Sequence, residues 1–381
     1  MENKIPVYQD KPDTHMESTG SDKASRSESE NPAVLGEIVF PLIKWYRENK
    51  RILPWRDQNN AYYTWVSEIM LQQTRVEAVK PYFRRFTEEL PDPAALAECP
   101  EEKLLKLWEG LGYYNRVRNM QIAAQTVVEE YDGVLPASYE KLLSLKGIGS
   151  YTAGAIASIA YDIPVPAVDG NVLRVITRII EDDGDIMKQS VKKRIENKLQ
   201  EIMPGEYPGD FNQALMELGA VVCVPNGEPK CDVCPVAFCC GARAHGTIDR
   251  FPVKAQKKDR KLEDRTVLVI QDGEKTAIRR RPSRGLLAGL YELPNLKGHL
   301  SEEEVLESVK AMDLEPLRIE ALPEAKHIFS HIEWRMTAYR VRVSSLEEIR
   351  QNDLLFVGKR QSDDQYAIPS AFSAYTKYIR E

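Results

Sequence analysis

The chain has 381 residues, of which 43% are hydrophobic and 29% are charged. This composition is typical of globular proteins and excludes a mostly disordered or fibrous chain, and at ~150 residues per domain the length predicts two or three domains. The net charge of −6 does not favour a polyanionic partner, so any nucleic acid would need a locally positive surface. No apolar run reaches the ~20 residues that cross a bilayer, and the polar N-terminus matches neither a signal nor a transit peptide. We therefore expect a cytoplasmic protein with no membrane partner.

A helical pattern extends over the first part of the chain, after a polar start. Residues 1–32 are nearly free of large apolar side chains, which predicts a disordered tail. From Ala33 onward, apolar residues recur at helical spacing, and prolines divide the region into many short segments. No alternating strand pattern of any length occurs before Cys223. We therefore predict an all-α domain over residues 33–222.

The pattern changes after the cysteine-rich stretch that follows this domain. Residues 247–265 are basic and predict a linker. Strand-like runs then occur at Thr266–Gln271, Lys275–Arg280 and Trp334–Val343, with one helical pattern, Glu302–Ala311, between them. The sequence therefore predicts a multidomain protein in which an α+β domain, residues 266–381, follows the all-α domain.

Five of the six cysteines lie between Cys223 and Cys240, which indicates metal ligation rather than disulfides in a chain without export features. The spacing Cys223-x7-Cys231-x2-Cys234-x5-Cys240, with prolines and glycines that turn the chain, allows four thiolates to converge in a loop over residues 223–246. The centre would be tetrahedral zinc or an iron–sulfur cluster. Cys239 competes with Cys240 as the fourth ligand.

Gly147 and Gly149 form a turn between two helical patterns, Tyr139–Leu145 and Thr152–Ala160. The glycines permit a tight turn and a close approach of the backbone to a ligand. The N–H groups that begin the second helix can then donate to a phosphate oxygen. A lone turn of this kind is usually only a tight connection, but with both helices it predicts a helix-hairpin-helix that binds the DNA backbone without reading its sequence.

Asp169 stands just before a helical stripe that begins at Val172, downstream of this hairpin. Taken alone, Asp169 is best interpreted as an N-cap. Because Asp169 follows a DNA-binding hairpin in the chain, its carboxylate is also placed where it could face a sugar.

The hairpin, the proline-rich stretch before Asp169 and the four cysteines together resemble the helix-hairpin-helix-GPD superfamily of DNA glycosylases, from about Leu42 to Cys240. Three further motifs resemble the MutY family of adenine DNA glycosylases: Leu53–Arg56, Ser67–Thr74 and Gly110–Tyr114. The resemblance implies base excision repair by removal of adenine mispaired with 8-oxoguanine or guanine, and a [4Fe–4S] cluster rather than zinc. The spacing from Cys223 to Cys231 is one residue longer than the usual family spacing.

The chemistry needs a proton for the departing base and negative charge near a cationic sugar. Glu68 has Trp65 and Leu71 three residues away on either side, so its helical face is largely apolar and burial would raise its pKa. A lone glutamate on a helix is usually a solvated surface residue, but the MutY-like motif around Glu68 reverses that interpretation, so Glu68 is the predicted general acid. By resemblance it also activates water, Asp169 stabilises the sugar cation, and Tyr151 and Asn171 orient the acid and the sugar.

The resemblance also assigns contacts with DNA. Gln73 and Tyr113 match positions that enter the duplex, Arg56 lines the adenine side, and Gln213 hydrogen-bonds adenine. The remaining predicted DNA contacts of the helical domain are Thr74, Leu111, Gly147 and Gly149.

Gly289–Pro294 resembles the MutT (Nudix) fold, whose enzymes hydrolyse oxidised nucleotides. The magnesium-binding box of those enzymes is missing, because Met312, Asp313, Pro316 and Leu317 stand where one arginine and three glutamates belong. We therefore predict a domain that binds rather than hydrolyses. By resemblance, Phe329, Ser330 and His331 read the lesion.

The resulting prediction is a monomeric, monofunctional glycosylase whose partner is double-stranded DNA with A:8-oxoguanine or A:G mismatches; in a bacterium it would associate with the nucleoid. One alternative is a bifunctional pyrimidine glycosylase/lyase like endonuclease III, which has a lysine nucleophile where this chain has Tyr151. The other is a non-catalytic DNA-binding protein that uses the metal centre as a structural staple, against which Glu68 and Asp169 argue.

Overall fold

A computed structural model describes residues 35–56, 59–255, 259–344, 350–351 and 353–379. The tail predicted to be disordered, residues 1–32, lies outside the described residues. Within them, helices occupy the chain as far as residue 244 and strands begin at Lys261, which confirms an all-α domain followed by an α+β domain. No helix in these segments is both long and apolar enough to cross a membrane.

The first domain is built from short helices whose ends are set by prolines and by capping side chains. Asn60, Asp92, Ser138 and Asp169 each accept a backbone N–H bond from the first turn that follows them. The helices are α1 Val39–Asn49, α2 Ala61–Leu71, α3 Val76–Glu89, α4 Pro93–Glu98, α5 Glu101–Leu107, α6 Asn115–Glu130, α7 Tyr139–Ser144, α8 Ser150–Tyr161, α9 Gly170–Ile179, α10 Gln189–Gln200, α11 Pro208–Val221 and α12 Gly241–Ala244.

These helices enclose two apolar cores. One core is formed mainly by α2 to α8, and the other by α1, α9, α10 and α11. Helix α8 packs against α2 on one side and α11 on the other, so it lies where the two cores meet.

The predicted hairpin consists of α7, a glycine turn and α8. Gly147 has φ +80°, in the left-handed region that favours glycine. A Cβ at this position would lie 2.7 Å from the Cβ of Asn119, so no larger residue fits without displacing α6. Gly149 is the N-cap of α8, and no side chain caps the helix there.

The second domain is a mixed sheet in the order β5-β6-β1-β2-β8-β7, with β3 beside β2 and β4 beside β1. Its strands are β1 Lys261–Asp272, β2 Lys275–Arg280, β3 Tyr291–Glu292, β4 Asn295–Lys297, β5 Pro316–Ile328, β6 Ile332–Val343, β7 Arg350–Gln351 and β8 Leu354–Val357; its helices are α13 Glu302–Lys310, α14 Lys359–Gln365 and α15 Ser373–Thr376. The strand β1 begins inside the predicted linker, because residues 261–265 pair with β6 in parallel.

Both faces of this sheet are covered. Val267 and Val269 of β1 face one apolar cluster, which includes residues of α15. Leu268 and Ile270 face the other cluster, which includes residues of α13. Because both faces are buried, the sequence of β1 contains a continuous run of apolar, mostly β-branched residues rather than an alternating pattern.

The two domains are in direct contact. Leu290 and Ala367 of the second domain belong to the apolar core of the first. Around them, the Lys106 ammonium donates to the carbonyl oxygens of Ser362 and Tyr366, at 3.2 and 3.0 Å. The second domain is thereby held against the helical domain.

Candidate active site and DNA-contacting surface

Glu68 lies on α2 at the junction of the two cores. Only 7% of its surface is exposed, and the residues from Thr64 to Met70 are all buried. Burial raises the pKa of Glu68 to about 7, although a hydrogen bond from Tyr151 opposes the rise. Near neutral pH this carboxyl group can therefore both give and take a proton.

Tyr151, in the first turn of α8, is the hydrogen-bond partner of Glu68. Its hydroxyl donates to Oε2 of Glu68 and lies 3.8 Å from Sδ of Met216 on α11. Burial raises the pKa of Tyr151 well above its ordinary value. The phenol therefore keeps its proton and acts as the donor in this pair.

Asp169 caps α9 and also faces Glu68. One carboxylate oxygen accepts from the backbone N–H groups of Asn171 and Val172, both at 2.8 Å, and the other accepts from Nδ2 of Asn171 at 2.6 Å. Burial raises the pKa of Asp169, and these N–H groups oppose the rise. Its charge contributes to the raised pKa of Glu68. Asp169 is thus an N-cap and a member of the carboxylate pair.

Asn171 is fixed from both sides. Its Oδ1 accepts from Nη2 of Arg174 at 2.9 Å. On its other side lies Gly219 of α11, where a Cβ would come within 2.6 Å of the Asn171 Cβ. The close approach of α9 and α11 at this glycine therefore sets the position of Asn171 and, through it, that of Asp169.

A buried ion cluster forms the side of the site nearest α11. Glu217, 1% exposed, accepts from Arg51 at 2.6 and 3.0 Å and from Arg56 at 2.9 Å. Burial alone would raise the pKa of Glu217, but the two guanidinium groups outweigh it and lower the pKa. The cluster fixes Arg56, which the sequence assigned to the adenine side.

Sequence reasoning missed Glu217, Arg51 and Tyr46. Tyr46, buried on α1, donates its hydroxyl to Oε1 of Gln213 at 2.8 Å. A signal for Glu217 existed, because it is a lone carboxylate in a mostly apolar part of α11, four residues after Gln213. Nothing local pointed to Arg51 or Tyr46.

The two residues predicted to enter the duplex occupy exposed turns with unusual backbone. Gln73 has φ 62° and Tyr113 has φ 48°, left-handed values that are costly for residues other than glycine. Arg116 joins the two turns, since it donates to the carbonyl oxygens of Ile69 and Gln72 on one side and of Leu111 and Gly112 on the other. Sequence reasoning missed this arginine as well.

Leu111 does not lie where it was predicted. It is 6% exposed and packs in the core of the helical domain, so its side chain does not reach the surface. Tyr113, two residues later, stands at the surface instead. Thr74 is half-buried in the same turn as Gln73, and Gly147 and Gly149 are exposed.

Phe329, Ser330 and His331 form the turn between β5 and β6. The ring of Phe329 packs against His327 and Trp334, with centroids 4.6 and 5.0 Å apart. Ser330 and His331 are exposed. The hydroxyl groups of Ser330 and Tyr113 are 2.8 Å apart, so this turn meets the turn of the helical domain that contains Tyr113.

The four predicted cysteine ligands line one pocket after α11. Cys223, Cys231, Cys234 and Cys240 contribute to it together with apolar side chains, whereas Cys239 does not. A cationic group, Nη1 of Arg178, lies 3.2 Å from Sγ of Cys223. In the described part of the chain, no three His, Cys, Asp or Glu side chains are close enough to hold one metal ion.

The fold and these residues define a class of DNA repair protein. Residues 66–204 match the family described as HhH-GPD superfamily base excision DNA repair protein, and residues 266–378 match the NUDIX domain. A solved structure of a thermostable thymine-DNA glycosylase superposes with a TM-score of 0.51 and 25% identity, covering 56% of this chain and 98% of that one.

Sequence relatives narrow the class. The adenine DNA glycosylase of Mus musculus is 36% identical over 358 residues, covering 78% of this chain and 69% of the mouse protein. The adenine DNA glycosylase of Buchnera aphidicola subsp. Acyrthosiphon pisum is 31% identical over 308 residues, covering 81% and 87%. The chain belongs to the adenine DNA glycosylase family, DNA-binding enzymes of base excision repair. The predicted family and fold class are confirmed, whereas the roles of single residues stay predictions.

Proposed function

We propose that the chain removes adenine mispaired with 8-oxoguanine or guanine from double-stranded DNA, acting as a monomer. The proposal is carried by one observation: a buried carboxyl group, Glu68, bonded to Tyr151 and facing Asp169. This pair supplies a proton and a negative charge, which are the two requirements of N-glycosidic cleavage.

In the proposed reaction the bond between C1′ and adenine breaks, and its electron pair leaves with the base. Protonated Glu68 gives its proton to a ring nitrogen of adenine, and the Asp169 carboxylate stabilises the cationic sugar. Glu68 then takes a proton from water as the water oxygen bonds to C1′. The products are adenine and an abasic site, and Glu68 ends protonated as it began. A pKa of about 7 suits both steps.

The direct test is a single-turnover assay on a duplex with one adenine opposite 8-oxoguanine, with thymine opposite 8-oxoguanine as the control. Alkali then cleaves the strand at any abasic site. We expect cleavage at adenine only. Intact adenine strands, or equal loss of thymine, would contradict the proposal.

We further propose hydrolysis without a covalent intermediate. A lyase forms an imine between an amine and C1′, and the position next to Glu68 carries the Tyr151 hydroxyl instead. Borohydride reduction during turnover should therefore trap little or no enzyme–DNA adduct, with endonuclease III as the positive control. Efficient trapping would show that another amine attacks the sugar.

Recognition of 8-oxoguanine is proposed for the turn at Phe329, Ser330 and His331. Adenine is a normal base, so the selecting information must come from the opposite base. The contact between Ser330 and Tyr113 supports a reading position beside the duplex-entering turn. Ser330→Ala should lower the preference for A:8-oxoguanine over A:G by about tenfold, the value of roughly one hydrogen bond, while A:G excision persists. An unchanged ratio would show that this serine does not read the lesion.

For the cysteine pocket we propose a [4Fe–4S] cluster held by Cys223, Cys231, Cys234 and Cys240. The support is that all four line one pocket, whereas Cys239 does not. When bound, the cluster would cross-link the loop after α11 and supply no group to the reaction. Iron analysis of anaerobically purified protein should give about four irons per chain; one equivalent of zinc would refute the cluster.

A further inference from the structure

The resemblance assigns Gln213 to adenine, and the orientation of its carboxamide would then determine which purine the site can bind. Gln213 lies three residues before Met216 on α11, so both side chains are on the face that leads to Tyr151 and Glu68. A carboxamide has one end that donates and one that accepts. Adenine offers an amino donor next to a ring-nitrogen acceptor, and a glutamine pairs with both at once.

A purine with a 6-oxo group requires the opposite orientation. Hypoxanthine has an oxygen acceptor where adenine has its amino group, so an amide oxygen held at that position meets another acceptor. Rotating the amide by half a turn would instead place an N–H donor opposite the 6-oxo group. Because glutamine can adopt either orientation, something else must fix it.

Tyr46 is the group that can fix it. Its hydroxyl donates to Oε1 of Gln213 at 2.8 Å, and among the described residues this is its hydrogen-bond partner. Tyr46 is 1% exposed, with the guanidinium of Arg56 5.4 Å above its ring centre. Burial raises the pKa of Tyr46 to about 12, so the phenol keeps its proton.

The reversed amide would leave this buried proton without an acceptor. The Tyr46 hydroxyl would then receive an N–H bond from Gln213, and its own proton would be unpaired. A buried donor without a partner is unfavourable enough to bias the two orientations by about tenfold or more. The carbonyl oxygen has a second lone pair, so Oε1 can accept from Tyr46 and from an adenine amino group together.

We propose that Tyr46 is a positioning residue that sets adenine specificity by holding Oε1 of Gln213 toward the 6-amino group and away from a 6-oxo group. This inference rests on the proposed excision of adenine. It assigns to α1, which precedes the matched HhH-GPD segment, a part in base selection.

The experiment compares single-turnover excision of adenine and of hypoxanthine, each opposite 8-oxoguanine, by the full-length protein. The ratio of the two rates is independent of the fraction of active protein, since both substrates are measured on one preparation. We expect Tyr46→Phe to lower the adenine:hypoxanthine ratio by about tenfold or more. As a matched control, Tyr62→Phe removes another buried hydroxyl, which donates to the Leu90 carbonyl at 2.9 Å, and should leave the ratio unchanged.

A second background tests whether Tyr46 acts through Gln213. Gln213→Met removes the amide, so adding Tyr46→Phe to it should change the ratio no further. A ratio within twofold of the wild type in Tyr46→Phe, or an equal effect of Tyr46→Phe in the Gln213→Met background, would overturn the inference. If the wild-type protein excises no adenine, the proposed function fails instead.

Discussion

Replacing Glu68 by glutamine should stabilise the folded protein and, at the same time, abolish most of its excision activity. Glutamine keeps the size and most of the hydrogen bonding of the buried carboxyl group but carries no charge and no transferable proton. We expect excision to fall at least ~100-fold, as is typical on loss of a general acid. Duplex binding should persist. The wild-type rate should decline as pH rises through about 7, where Glu68 loses its proton.

The change in stability follows from the same pKa. In the folded protein the pKa of Glu68 is about 7, against 4.5 in the unfolded chain. Because the folded value is the higher, stability is full below pH 4.5 and is lost as pH rises through 7. Between pH 5 and pH 8 the wild-type protein should lose roughly 2–3 kcal/mol relative to Glu68→Gln.

Urea unfolding at pH 5 and pH 8, followed by tryptophan fluorescence, measures this difference. Four of the five tryptophans lie in the helical domain, so the signal reports mainly on it. Glu88→Gln, at an exposed position of α3, is the matched control and should track the wild type at both pH values. A stability gap between wild type and Glu68→Gln that is the same at pH 5 and pH 8 would refute the claim that burial perturbs this carboxyl group.

Two further variants test the metal pocket and the helix junction. Cys234→Ser should lose bound iron because it removes a ligand from the pocket, whereas Cys239→Ser should retain it, by iron analysis and visible absorbance; equal iron in both would contradict this ligand assignment. Gly219→Ala should lower stability in urea by about 1–3 kcal/mol and slow excision at least ~10-fold, because the new Cβ meets Asn171. The control is Gly205→Ala, in which no atom lies within 4 Å of the new Cβ, and it should be neutral in both assays. Equal losses in the two variants would show that displacement of Asn171 is not the cause.

Features that depend on neighbours in the chain could be predicted from the sequence. The glycine turn at Gly147 requires a left-handed backbone wherever it is placed, and its flanking helices follow from local apolar spacing. The burial of Glu68 follows in the same way, since a helix buries the face on which its apolar residues lie. The clustering of the cysteines in one short loop likewise predicted a shared pocket.

Other features depend on which surfaces meet, and no local pattern contains that information. The bonds of Glu217 with Arg51 and Arg56, and that of Tyr46 with Gln213, each join residues more than 160 positions apart. Leu111 shows the same limit, because its apolar side chain fits equally well in a core or between DNA bases until its neighbours are known.

The sequence by itself therefore determined the class of each domain, the hairpin, the cysteine loop and the burial of Glu68, since these follow from short-range geometry and side-chain chemistry. The tertiary structure alone decided the strand pairing of residues 261–265, the contact of Ser330 with Tyr113, and the orientation of Gln213. The physical reason is that burial and hydrogen bonding in a core are satisfied by partners distant in the chain, and packing selects those partners only when the whole domain has formed.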